Sequence, residues 1–223
     1  MYIDRPIFQT LYTQKDNAKV TILIGARQVG KTTLLRALFD LLKDDYPCLF
    51  LDLDLYSNYE KVNTYENLIN TIKLHGYQEK QEKPFFLFMD EFQRYADISM
   101  VLKNMADHHK NVKIYASGSS SLAINSNIQE SLAGRKRTIV VYPLTFKEFL
   151  DFTGNAEAAD RLARLHGIRS RTLDRLLPEL YRAFDDFLVC GGYPEIAIVN
   201  PAERGTTWSN AGFRLIGCRH LVC

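Results

Sequence analysis

The sequence predicts an α/β fold built on a five-stranded parallel sheet, followed by a smaller helical lobe. Three observations carry this. Five short β-rich runs are separated by stretches of helical period. Several of those runs are apolar throughout rather than alternating, the pattern of strands covered on both faces. Beyond Tyr142-Pro143-Leu144 no further strand pattern occurs.

The first run, Val20–Ile24 (VTILI), leads through a glycine-containing turn into Thr32–Lys43, where Leu34, Leu35, Leu38, Phe39 and Leu42 fall on one helical stripe. Cys48–Leu53 (CLFLDL) follows, then a weaker helix candidate over Tyr65–Leu74. Phe85–Met89 (FFLFM), a helix over Ile98–His109, Val112–Ala116 (VKIYA) and Thr138–Tyr142 (TIVVY) complete the set. Strand–helix alternation of this kind implies right-handed crossovers. Thr145 and Glu148 have the spacing of a capping box, so a helix is expected to begin at Thr145. Leu162, Leu165, Leu173, Leu176, Leu177, Leu180, Tyr181, Phe184, Phe187 and Leu188 continue a helical rhythm. The expected organisation is a core over residues 1–144, a helical lobe over 145–199 and an irregular tail over 200–223.

Composition narrows the class. The chain has 223 residues, 46% hydrophobic and 24% charged, with a net charge of +2, so its total charge argues for neither nucleic acid nor acidic membranes. No run approaches the roughly 18–20 apolar residues of a membrane helix. Asp4 and Arg5 stand where a signal peptide needs apolar residues. The cysteines Cys48, Cys190, Cys218 and Cys223 form no C-x-x-C pair, so neither a zinc site nor a disulfide framework is expected. A cytoplasmic location follows as an expectation.

The chemistry is concentrated at the first turn. Gly25-Ala26-Arg27-Gln28-Val29-Gly30-Lys31-Thr32 matches G-x-x-x-x-G-K-[ST] in full, between a strand and a helix. Glycines let the backbone curl so that successive N–H groups, through Thr33, converge on a phosphate, and the helix N-terminus adds its positive end. Lys31 would reach the β- and γ-phosphates of ATP, and the Thr32 hydroxyl would ligate Mg²⁺. Residues near Ile7–Leu11 are candidates for the base by position alone.

Phe85–Met89 ends in Asp90-Glu91. A buried strand delivers its last residues to the rim where ligands bind in open α/β sheets. Asp90 would sit near the metal held by Thr32, and Glu91 could polarise an attacking water. The bland alternative is an acidic helix cap. A water-activating glutamate suits an ATPase better than a small-molecule kinase. Val112–Ala116 runs into Ser117-Gly-Ser-Ser-Ser121, so Ser117 or Ser119 could hydrogen-bond the water or a phosphate oxygen, or simply form a turn. Arg135, in the cationic stretch Gly134-Arg-Lys-Arg137, is a candidate finger toward the γ-phosphate, against the reading of a solvated basic turn. Gln93 could report nucleotide state.

In the helical lobe, Arg161, Arg164, Arg169, Arg171, Arg175 and Arg182 are interleaved with Asp151, Glu157, Asp160, Asp174, Glu179, Asp185 and Asp186. That mixture reads as a solvated, salt-bridged face more than a nucleic-acid patch. Cys190-Gly-Gly-Tyr-Pro-Glu195 reads as a tight turn after a helix.

LIGARQVGKTT, FLFMDEFQ, YASGSSSL, SLAGRKR, YPLTFKEFL and CGGYPEI occur in this order. Together they resemble the prokaryotic AAA-domain ATPases that carry a C-terminal domain of unknown function. The resemblance spans about Tyr2 to Ile198. It implies an AAA+-like P-loop core with sheet order 5-1-4-3-2 and a small helical lid. It also implies ATP and Mg²⁺ as ligands and Gly25, Gly30, Lys31, Thr32, Asp90 and Glu91 as nucleotide residues. Arg135 corresponds to the arginine of the family's LAGR stretch. After Ile198 the sequence departs from the family, and a truncated or frame-shifted product with a poorly ordered tail is the expectation. The activity implied is slow ATP hydrolysis coupled to an unknown protein partner or effector domain. A finger arginine could be supplied in trans by self-association. A binding switch with little turnover and ATP-coupled DNA binding remain as alternatives.

Overall fold

The structure, a computed structural model, describes residues 5–95, 97–119, 131–155, 158–160, 162 and 177–199. The 200–223 tail and Arg161, Arg164, Arg169, Arg171 and Arg175 lie outside the described residues, as do Ser120 and Ser121. The chain divides into two units, Met1–Tyr142 and Pro143–Cys223.

The first unit is a P-loop α/β fold. Its strands are β1 (Val20–Gly25), β2 (Cys48–Asp52), β3 (Phe85–Asp90), β4 (Val112–Ser119) and β5 (Lys136–Val140). They form one parallel sheet in the order β2-β3-β4-β1-β5, which is the expected 5-1-4-3-2. The helices are α1 (Pro6–Tyr12), α2 (Lys31–Leu42), α3 (Tyr56–Tyr59), α4 (Tyr65–Leu74) and α5 (Ile98–His108).

Position in the sheet explains the strand patterns. All six residues of β3 are buried because β2 and β4 flank it and helices cover both faces. Its alternate residues divide between the two layers. Phe85, Leu87 and Met89 pack with Leu68 and Ile72 of α4 and Ile98, Leu102 and Met105 of α5. Phe88 instead meets Phe39 of α2 edge-on at 5.7 Å and stacks on Tyr115 of β4 at 5.3 Å. Each such buried side chain contributes about 1.5–3 kcal/mol by leaving water. The edge strand β2 alternates, and β5 buries only Ile139. An apolar stripe thus marks the inner strands and fades at the rims.

Two boundaries differ from expectation. β4 continues through Ser119 because Ser117, Gly118 and Ser119 pair with Leu23, Ile24 and Gly25, so these residues are strand and not turn. β5 begins at Lys136, paired with Val20, and ends at Val140. Ahead of β1, α1 starts at Pro6, whose fixed φ suits a first helical position. Tyr115 Oη moors it by donating to the Leu11 carbonyl at 3.0 Å.

The second unit contains α6 (Phe146–Phe152), α7 (Leu177–Cys190) and α8 (Pro194–Ala197). The capping box at Thr145 and Glu148 is formed in full and supports the start of α6 by about 1 kcal/mol. Phe149, Leu144, Ile196 and Ala197 form a small core with Phe187 packed against it. Gly191 and Gly192 both take φ 68°, which closes the expected turn between α7 and α8. No helix among the described residues is long and apolar enough to cross a membrane.

Candidate nucleotide-binding site

The site forms where β1, β3 and β4 end. β1 delivers Gly25 to the rim, and the chain then turns through Ala26–Gly30 into α2. Gln28 (φ 63°) and Gly30 (φ 92°) take left-handed backbone conformations, the curl that points successive amides inward. Ala26, Arg27 and Gln28 are exposed, as is Thr33, while Thr32 is half-buried at the start of α2. Val29 is different. The whole residue is buried, and its Cγ2 faces the position a Cβ on Gly25 would take.

Gly25 has a second reason to be glycine. A Cβ there would lie 2.3 Å from the Val141 carbonyl oxygen and 3.1 Å from Val29 Cγ2. The Val141 amide also donates to the Ile24 carbonyl at 2.7 Å. The start of the loop is therefore packed on the segment that leaves β5.

Lys31 is 5% exposed, and its Nζ donates to the carbonyls of Gly25 (3.1 Å) and Ala26 (2.7 Å). Burial holds its pKa below the ordinary lysine value, the charges of Glu91 and Asp90 pull it back up, and Arg27 lowers it. The lysine of the loop and the carboxylates at the end of β3 thus share one electrostatic environment.

Asp90 is 2% exposed at the last position of β3, and Ser117 Oγ donates to its Oδ1. Ser117 is fully buried and spends its hydroxyl on this carboxylate. Its place is behind Asp90, which corrects the expectation that it meets water or phosphate directly. Ser119 is half-buried and in register with Gly25, at the mouth of the loop. Asp52, at the end of β2, is in register with Asp90 and adds a carboxylate to the rim that the motif reading passed over.

Glu91 follows Asp90 with φ 52° and ψ 37°, a left-handed conformation that costs a non-glycine residue energy. The next residues, Phe92–Arg94, form a single tight helical turn that brings Gln93 back toward Glu91, and Gln93 Nε2 donates to Glu91 Oε2.

Arg135 is placed elsewhere. Its carbonyl accepts from the Val20 amide at 2.9 Å, so it lies beside the first residue of β1. Gly25 is five residues further along that strand, roughly 16 Å at about 3.3 Å per residue. Its guanidinium is paired with Asp107 of α5. The expectation of a finger acting on its own chain's loop is therefore corrected, because Arg135 sits at the amino end of the sheet and the loop at the carboxyl end.

Arg5 is the residue the motif reading missed. It is 6% exposed, and its guanidinium donates to the carbonyls of Val29 (2.9 Å) and Tyr142 (3.1 Å). The sequence signal was weak, a charged residue directly before the proline that opens α1.

Residues 17–150 match the AAA domain family AAA_14. The chain belongs to that family. Over 186 residues it is 28% identical to the uncharacterized protein MJ1544 of Methanocaldococcus jannaschii, covering 82% of this chain and 37% of the relative. An uncharacterized protein of Haemophilus influenzae is 26% identical over 209 residues, covering 90% of this chain and 46% of the relative. The chain thus spans less than half the length of these relatives. The Walker-type ATPase PABY2304 of Pyrococcus abyssi superimposes with a TM-score of 0.60 at 19% identity, covering 95% of this chain and 69% of that one. That likeness is one of fold. The AAA-domain protein thus carries its loop, acidic strand end and serine-tipped β4 on a P-loop ATPase fold.

Proposed function

We propose that the protein binds ATP with Mg²⁺ at Gly25–Thr32 and hydrolyses it, with Glu91 orienting the attacking water. The observation that carries this reading is the arrangement at the carboxyl end of the sheet: Asp90 ends β3 and is held by Ser117 of β4, the strand whose Ser119 is in register with Gly25 at the start of the loop that carries Lys31. Chance matches to a loop motif do not bring a buried, serine-held carboxylate to the same edge.

The loop amides and Lys31 hold the phosphates. Lys31 exchanges its two carbonyl acceptors for phosphate oxygens, which favour its charged form. The Thr32 hydroxyl and the Asp90 carboxylate are hard oxygen donors of the kind Mg²⁺ takes, and the ion would neutralise charge on the phosphates. Ser117 fixes the Asp90 carboxylate, and Ser119, in register with Gly25, would meet a phosphate oxygen. Glu91 accepts a proton or hydrogen bond from water in line with the γ-phosphate.

Turnover by the isolated chain is slow in this reading. An arginine at the γ-phosphate is worth roughly 10³–10⁵ in rate, and Arg135 cannot supply it to its own loop. A second copy or a partner provides it. The packing of Gly25 on Val141, and of Arg5 on both Val29 and Tyr142, supports a link between nucleotide state and the end of the first unit.

The test is ATP affinity and phosphate release, with Mg²⁺, for the parent chain, Lys31→Ala and Glu91→Gln. Loss of binding in the first variant and loss of turnover with binding retained in the second are expected. Full turnover in Glu91→Gln would remove the proposed role of the glutamate.

A further inference from the structure

Gln93 is hydrogen-bonded to Glu91, the glutamate proposed above to orient water. Three features of its setting are unusual together. First, its Nε2 donates to Glu91 Oε2, while the intervening Phe92 is buried and pins the turn. Second, Gln93 Oε1 is buried with no hydrogen-bond partner among the described residues. Third, Gly118 leaves the room in which the amide sits. A Cβ at Gly118 would lie 2.5 Å from Gln93 Oε1 and 3.2 Å from Phe92 Cε1. Gly118 belongs to β4 and is in register with Ile24, one residue before the loop.

A glutamine so placed is a poor choice for stability. An unpaired buried acceptor costs about 1–3 kcal/mol, and an apolar side chain of the same length would avoid that cost. The left-handed backbone of Glu91 adds strain at the same point. Unsatisfied groups and strain of this kind concentrate where geometry serves chemistry. Among the described residues, the polar contact the amide makes is to the Glu91 carboxylate.

From this arrangement we infer that Gln93 is a positioning residue for hydrolysis: its amide, seated over Gly118, holds the Glu91 carboxylate in the orientation from which it directs water. This rests on the proposed ATPase reading. Gln93 touches neither phosphate nor metal in this account and acts only through Glu91.

The experiment compares Gln93→Met, Gly118→Ala, Glu91→Gln and the double variant Gln93→Met with Glu91→Gln, measuring ATP affinity and single-turnover hydrolysis. Methionine keeps the length and packing but removes the donor. The expected result is hydrolysis reduced about 10- to 100-fold in Gln93→Met, the scale on which misplacing a reacting group acts, with ATP affinity unchanged. Gly118→Ala, which displaces the amide without altering Gln93, should give the same split. In the double variant, adding Gln93→Met to Glu91→Gln should cost nothing further, because residues acting through one contact are non-additive.

Three results would overturn the inference. They are unchanged turnover in Gln93→Met, a parallel fall in affinity and turnover, and fully additive losses in the double variant. A parent chain that binds ATP but never turns it over, or a fully active Glu91→Gln, would instead overturn the proposed function itself. Folding of each variant is checked by its thermal transition, and Gln93→Glu, of the same shape, serves as the second probe at this position.

Discussion

Arg5 and Val29 are 24 residues apart in sequence, yet the Arg5 guanidinium donates to the Val29 carbonyl at 2.9 Å and thereby holds the phosphate loop from behind. The same guanidinium reaches Tyr142 at 3.1 Å, so one buried cation joins the segment before α1, the loop and the end of the first unit. Arg5→Ala is expected to lower stability by about 1.5–3 kcal/mol for the charged hydrogen bonds removed and to weaken ATP binding. Arg5→Lys should recover part of each, since the two carbonyls are reached by separate guanidinium nitrogens and a lysine offers a single nitrogen in their place. Urea denaturation and ATP titration of the two variants decide it. Unchanged ATP affinity in Arg5→Ala would reduce Arg5 to a purely structural tie.

Gly25→Ala offers a separate prediction about the same loop. The added carbon meets the Val141 carbonyl oxygen at 2.3 Å, and the atom in the way is backbone, which cannot swing aside. Either the loop or the segment after β5 must shift. The expected outcome is loss of ATP binding together with a lower thermal midpoint. A variant with the parent's midpoint and only its affinity lost would show that the requirement for glycine comes from the phosphate alone.

The sheet was legible because the inner strands are buried on both faces and read as continuous apolar runs, while Leu34, Leu35, Leu38 and Leu42 mark the buried face of α2. What was not legible depends on pairing between distant segments. Ser117, Gly118 and Ser119 have the composition of a turn, and only pairing with Leu23–Gly25 makes them strand. Arg135 looked like a site residue because it stands in the cationic stretch Gly134-Arg-Lys-Arg137 beside a strand, and composition does not say which end of the sheet that stretch occupies. Arg5 gave no periodic signal, since its acceptors lie 24 and 137 residues away. The bond from Gln93 to Glu91 depends on one left-handed residue, which a non-glycine side chain does not announce.

For Arg135, the geometry yields an expectation opposite to that of a finger acting on its own chain. Arg135→Ala should leave hydrolysis unchanged at protein concentrations where the chain is monomeric. Its pairing with Asp107 is only partly buried, so stability should change little. If Arg135 serves a neighbouring copy, a difference from the parent appears only as concentration rises and association brings a second loop to it. Phosphate release measured over a range of protein concentration separates the cases. A loss already present at the lowest concentration would contradict the placement at the amino end of the sheet.

The final prediction concerns pH. His109, just after α5, has both ring nitrogens engaged, Nε2 with Tyr65 Oη at 2.7 Å and Nδ1 with Tyr77 Oη at 2.8 Å. Burial lowers its pKa below the ordinary histidine value. Glu79 partly opposes this, while His108 and Lys73 add to it. The folded state therefore binds this proton less readily than the unfolded chain, whose histidine titrates near 6.5. Stability tied to His109 is complete above that value, begins to fall as pH drops through it, and levels off below the folded-state pKa. The hydroxyl network gives the same sign, because a doubly protonated ring can no longer accept from either tyrosine. His109→Gln keeps a donor and an acceptor but cannot titrate. Urea midpoints measured from pH 8 to pH 5 should fall less steeply in this variant than in the parent, with the gap opening only below about pH 6.5. The other histidines and all carboxylates are common to both proteins, so the difference between the two curves isolates this ring. Parallel curves would mean that His109 accepts its second proton in the folded protein as easily as in the unfolded chain.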